Sequence, residues 1–108
     1  MDLTRKQAEI LERLHNQGFQ IVAFPMYANY LGVRKGNCAA LLAPLLSDGF
    51  TLFGAPAYLI GDNFTVRVKH EDGEWFVWKK DRLQATPERV AELEQFSGEL
   101  TSALVPVA

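Results

Sequence analysis

The spacing of apolar residues changes several times along the chain, and each change predicts an element. Ala8, Leu11 and Leu14 form one helical stripe with Ile10 at its edge, while Arg5, Lys6, Glu9, Glu12 and Arg13 are left to water. Thr4 followed three residues later by Gln7 has the form of a capping box, so a first helix is expected to start there and to stop at Gly18. FQIVAF, residues 19–24, is short and rich in strand formers, and Pro25 biases Phe24 towards extended backbone. Beyond it, PMYANYLGV and RKGNCAALLAPLL read as two helices around a corner at Gly32-Val33, with Gly32 as left-handed cap. The second would begin between Arg34 and Asn37 and end at Ser47-Asp48-Gly49. Pro44 inside that helix costs about 3 kcal/mol unless the helix bends or breaks, which predicts a kink in residues 40–44.

Residues 50–63 mix short apolar runs with Gly54, Pro56 and Gly61 and read as extended pieces joined by turns. NFTVRVKHEDGEWFVWKK then gives two strand-forming runs around Asp72-Gly73, a hairpin signal. An even-length loop places Val66 and Val68 with Trp75 and Val77 on one face, and Arg67 and Lys69 with Phe76 and Trp78 on the other. The first face is expected to cover the core, and Phe76 and Trp78 to lie under the last helix or at a subunit interface. Thr86-Pro87-Glu88 is a helix start, with a hydroxyl cap, proline in the first turn and an acid near the positive end of the dipole. Val90, Leu93, Phe96, Leu100 and Leu104 follow as one apolar stripe, available to the domain or to a second copy of the chain.

Helix, short strand, helix, corner, helix and hairpin is the element order of a winged helix-turn-helix domain, and residues 4–80 resemble that family. YANYLGVRKGNCAALLAPLLSDGF stands where the helix-turn-helix would be, and FTVRVKHEDGEWFVWK where the wing would be. The resemblance implies an α+β, winged-helix-like fold: three N-terminal helices, a β-hairpin wing and a C-terminal helix. Residues 1–83 would form the winged-helix-like part, and residues 84–108 the helix and tail that pack on it or dimerise. It further implies a transcriptional regulator or accessory nucleic-acid-binding subunit, often a homodimer, with Arg34, Lys35 and Asn37 near the major groove of double-stranded DNA and Arg67, Lys69 and His70 on the wing. Phe76, Trp78, Val90, Leu93, Phe96 and Leu100 would form the interface.

Composition modifies that expectation. One chain of 108 residues has the surface-to-volume ratio of a single domain. Residues 1–83 carry ten Lys+Arg and nine Asp+Glu, a balance of +1, whereas residues 84–108 carry one arginine and four glutamates, a balance of −3. A nearly neutral body excludes a globally basic nucleic-acid binder and leaves phosphate-backbone contact as the DNA mode. The apolar run after Asn37 and the acidic wing tip at Glu71, Asp72 and Glu74 point to an alternative, a winged-helix-like protein-interaction module with no DNA binding or catalysis. The single Cys38, with His15 and His70 distant in sequence, indicates neither a disulfide nor a metal site. The sequence presents no nucleophile with its base and no phosphate loop, so neither an enzyme nor a cofactor is expected. No apolar run reaches eighteen residues, which sets aside a membrane span and makes a cytoplasmic location the expectation. Phe24, Tyr27, Tyr30, Phe53 and Tyr58 are the aromatic set from which a small-molecule pocket could be lined.

Overall fold

The computed structural model describes residues 3–45 and 49–104. Helix α1 (Arg5–Asn16) begins in a complete capping box, with Thr4 Oγ accepting from the Gln7 amide and Gln7 Oε1 accepting from the Thr4 amide. Strands β1 (Gln20–Val22), β2 (Leu31–Lys35), β3 (Cys38–Pro44), β4 (Phe50–Ile60) and β5 (Asn63–Phe64) follow as one antiparallel meander, with a single 3-10 turn, Pro25–Tyr27, between the first two. A second antiparallel sheet holds β6 (Val66–His70), β7 (Gly73–Trp78) and β8 (Asp81–Gln84). Helix α2 (Pro87–Leu104) closes the domain, and Thr86 Oγ caps it by accepting from the Arg89 amide.

This architecture overturns the winged-helix reading. Among the described residues there are two helices and eight strands, and no helix-turn-helix. The two segments read as a helical pair are instead the 3-10 turn with β2, and β3. The physical reason lies in residues 38–42, which are buried on both faces of a central strand. Such a strand carries no alternation, and its Ala- and Leu-rich sequence looks like a buried helix. Helix propensity, a few tenths of a kcal/mol per residue, yields to the burial available in the sheet. Pro44 is then unremarkable, because it occupies the last position of β3 rather than a helix interior. Lys35 pairs with Cys38, so Gly36-Asn37 is a two-residue hairpin loop, with Gly36 at φ +61°. Gly32 is not a cap. A Cβ there would come within 2.5 Å of both the Phe24 ring and the Val22 carbonyl oxygen, so the glycine serves close approach within the β1–β2 pair. The Ser47-Asp48 helix end lies outside the described residues.

The hairpin around Asp72-Gly73 forms, with Val66 opposite Val77 and Val68 opposite Trp75. Since β8 pairs with its other side, it is part of a three-stranded sheet and not a projecting wing. The orientation expected for its faces is reversed. Phe76 is buried and stacks on Tyr58 with ring centroids 4.8 Å apart, whereas Trp75 is half-buried and faces Arg82 on the outer side.

The five-stranded sheet separates two apolar clusters. One face carries Val33, Cys38, Ala40, Leu42 and Tyr58 against Ile10, Leu14, Phe19, Phe96, Leu100 and Ala103, with Val90, Leu93 and Leu104 at its margin. The stripe of α2 therefore packs within its own chain. The other face carries Ala39, Leu41 and Leu59 beneath Phe24, with Val22, Tyr27, Tyr30 and Phe64 around them. Register slips between Ala39–Ala57 and Leu41–Phe53, placing two extra residues in β4 near Gly54, whose φ is +73°. An even slip bends the strand without exchanging its faces.

Candidate functional site

Among the described residues no α-helix packs on the second face of the meander. Small residues, Gly32, Ala39 and Ala57, let the connection between β1 and β2 lie close to the sheet, and its aromatic side chains form the lid. The Phe24 ring meets Phe64 edge-on at 4.9 Å, Tyr27 packs on Phe64 at 5.5 Å, and Tyr30 stacks on Phe53 at 4.0 Å. Between this lid, the β4–β5 turn and the end of β7 lies a cavity of about 530 Å³. Residues 22–27 form one wall, Asn63 and Phe64 another, and Trp78 a third. Met26, 78% exposed, stands on the first wall.

The charged side chains lining the cavity are Arg34 and Asp62, with Asn63 as a neutral polar neighbour. Alternation along β2 turns Arg34 to this face, opposite Gln20 and Ala39. Asp62 sits in the two-residue Gly61-Asp62 turn, made tight by Gly61 at φ +62°. Arg34 Nη1 donates to Asp62 Oδ1 at 2.8 Å and Arg34 Nε to the Gly36 carbonyl at 3.4 Å. The arginine side chain is 30% exposed and the aspartate 85% exposed, so one partner is held against the protein and the other stands in water. Lys79 Nζ lies 4.8 Å from the Trp78 ring centroid, but Lys79 is not among the residues that line the cavity.

The residues expected to contact DNA do not converge. Strand alternation sends Lys35 to the opposite face from Arg34, where its ammonium binds Glu99 at 2.8 Å and the Gln17 carbonyl at 2.9 Å and stands 5.1 Å from the Phe19 ring centroid. Asn37 donates its amide to Glu92 at 3.0 Å. Arg67 bonds Glu74 across the β6–β7 pair, which holds that carboxyl below the usual range, and Lys69 is exposed opposite Glu74. Carboxylates bond three of these four cations and Asn37, and the fourth, Lys69, stands opposite Glu74 on β7. These residues form no common basic surface, and the double-stranded DNA partner is withdrawn with the fold that suggested it. Of the residues assigned to an interface, Phe76, Phe96 and Leu100 lie in the main core, Val90 and Leu93 pack on it, and Trp78 lines the cavity.

A smaller hollow of about 340 Å³ between the β2–β3 turn and α2 is walled by Lys35, Glu92 and Glu99. Its charges are engaged: Glu92 accepts from the Asn37 amide and, at 3.4 Å, from Tyr58 Oη, while Lys35 and Gln95 hold Glu99 below the usual carboxylate range. Cys38 is buried on this helix-covered face, where burial, reinforced by the negative charge of Glu92, pushes its thiol up to about 12. Among the described residues no three His, Cys, Asp or Glu side chains gather as metal ligands, and no helix is long and apolar enough to cross a membrane.

Phe24 and Tyr27 belong both to the aromatic set read from the sequence and to the cavity. Tyr30 and Phe53 share its face, whereas Tyr58 points into the main core. Phe64, Trp78 and Asp62 went unrecognised as cavity residues. The Gly61-Asp62 turn was visible, but nothing in the spacing ties residue 62 to residue 34. No protein-family model matches the chain, and no curated protein or solved structure is significantly similar to it.

Proposed function

We propose that this domain binds a small, largely apolar molecule in the cavity over the second face of the meander. The observation that carries the reading is an open hollow of about 530 Å³ whose walls include aromatic rings from three separate segments and one half-buried guanidinium. Ligand sites have this size and composition: apolar and aromatic walls supply affinity, and a few placed polar groups set orientation. The reading is one of binding without catalysis, supported by two features. Arg34 and Asp62 pair with each other, and the Cys38 thiol is buried across the sheet, where its environment raises its pKa. A cytoplasmic setting belongs to the same proposal, supported by a core that incorporates a free, buried thiol.

The test is ligand-observed NMR with a set of one- and two-ring fragments, repeated on Ala23→Trp. Ala23 is exposed and lines the cavity, so an indole there fills the space without entering the core. Fragments that bind the wild-type protein should lose their signal with the variant. Absence of binding, or binding indifferent to the indole, refutes the reading.

A further inference from the structure

We propose that the ligand is a monocarboxylate with an aromatic body: its rings lie among Phe24, Phe64 and Trp78, and its carboxylate takes over from Asp62 as the partner of Arg34. The inference rests on the cavity being a binding site and adds the chemistry that selects its occupant. Three observations carry it. First, among the described residues Arg34 makes two hydrogen bonds, from Nε to Gly36 and from Nη1 to Asp62, which leaves the Nη2 donors and one N–H of Nη1 to a ligand. The Gly36 bond engages Nε alone, so Nη1 and Nη2 remain as a pair of parallel donors that suits a planar, two-oxygen acceptor once Asp62 leaves. Second, the bonded carboxylate already present belongs to a side chain 85% exposed at the tip of a turn. Such an exposed pair is worth little, and exchanging Asp62 for a ligand carboxylate returns the aspartate to water at small cost. Third, the charged side chains lining the cavity are Arg34 and the exposed Asp62, so that turning Asp62 out to water leaves a single cation on the wall. That charge accommodates one negative charge and opposes a cation, although the aromatic walls alone would suit one.

The experiment is isothermal titration calorimetry at low salt with three ligands of the same ring system: 2-naphthylacetate, its neutral amide 2-naphthylacetamide, and the cationic 2-naphthylmethylammonium. The wild-type protein should bind the carboxylate about tenfold more tightly than the amide and the ammonium more weakly than either, as a charge-assisted pair predicts. Arg34→Gln should bring carboxylate and amide to within about twofold, with the carboxylate losing more affinity than the amide, because the charge-assisted contact is the stronger of the two that are removed. Asp62→Asn should tighten the carboxylate by about threefold through loss of the competing anion. Equal binding of carboxylate and amide by the wild-type protein, or tighter binding of the ammonium, overturns the carboxylate assignment but leaves the cavity as a binding site. Failure of all three to bind overturns both. The ligand comparison on the wild-type protein needs no variant to fold, and a carboxylate preference that survives Arg34→Gln removes Arg34 from the site.

Discussion

Gly32→Ala probes both the strand assignment and the construction of the cavity wall. The added Cβ would stand 2.5 and 2.6 Å from two carbons of the Phe24 ring and 2.5 Å from the Val22 carbonyl oxygen. Ordinary carbon–carbon contact is about 3.5–4.0 Å, so the overlap is roughly 1 Å, and part of it is with backbone. Val22 is paired with Gly32 in the β1–β2 ladder and cannot retreat without breaking that pairing. Relief must therefore come from moving the Phe24 ring off Ala39 and Leu41 and into the cavity. Overpacking of this kind costs about 1–3 kcal/mol, and the gain of about 0.5–1 kcal/mol from restricting the unfolded chain offsets only part of it. The expected net loss is about 1–2 kcal/mol, read as a lower urea midpoint at unchanged m-value. In a Phe24→Ala background the ring overlap disappears, so the cost of Gly32→Ala should fall by about 1 kcal/mol or more in a double-mutant cycle. If residue 32 were a helix cap, the penalty would arise from its backbone conformation and would not depend on residue 24. A Gly32→Ala protein as stable as wild type, or a cycle showing no coupling, refutes the argument.

Further consequences follow from the opposite face. Native Cys38 should resist iodoacetamide at pH 8 and react only on unfolding, since its thiol lies near 12 and is buried; rapid native labelling would contradict that environment. Lys35 and Gln95 depress the Glu99 carboxyl, so its contribution is fully present above the ordinary carboxylate range and is lost as pH falls through the lowered value. Urea unfolding of Glu99→Gln should show a weaker dependence on acid pH than wild type, and the loss at neutral pH should stay below about 1 kcal/mol because both partners are a third exposed. Glu92→Ala removes the acceptor of the Asn37 amide and of Tyr58 Oη, and should cost about 1–2 kcal/mol while speeding hydrogen exchange at Asn37. Unchanged exchange would mean that α2 does not hold the β2–β3 turn.

Local signals were legible where chemistry near the backbone decides the structure. Thr4 with Gln7, and Thr86 with Pro87, mark helix starts because capping is a contact between residues three apart. The pairing of Val66 with Val77 follows from loop length, but the direction each face looks does not. Phe76 is turned inward onto Tyr58 and the main core, contacts that depend on the tertiary fold and not on the hairpin itself. Residues 38–42 misled because a strand buried on both sides shows no period of two. Pro44 does oppose a helix there, but a kink accommodates it, and Gly36-Asn37, which is the hairpin loop, is equally at home at a helix start. That single reversal dissolved the basic patch. Arg34 and Lys35 are neighbours at a helix start but point to opposite faces of a strand, one to Asp62 and the other to Glu99. The cavity was only half visible, since Arg34, Asp62 and Trp78 meet through the course of the meander and not through any spacing in the chain.

The two tryptophans give the most direct test of the account. Trp78 lines the cavity, whereas Trp75 lies on the other face of β7, with its indole N–H donating to Asp72. In a 1H–15N correlation spectrum titrated with 2-naphthylacetate, the indole resonance of Trp78 should move progressively and saturably together with the amides of residues 22–27, while that of Trp75 stays in place. Movement of the Trp75 resonance instead, or of neither, would contradict the assignment of the aromatic cavity as the binding site.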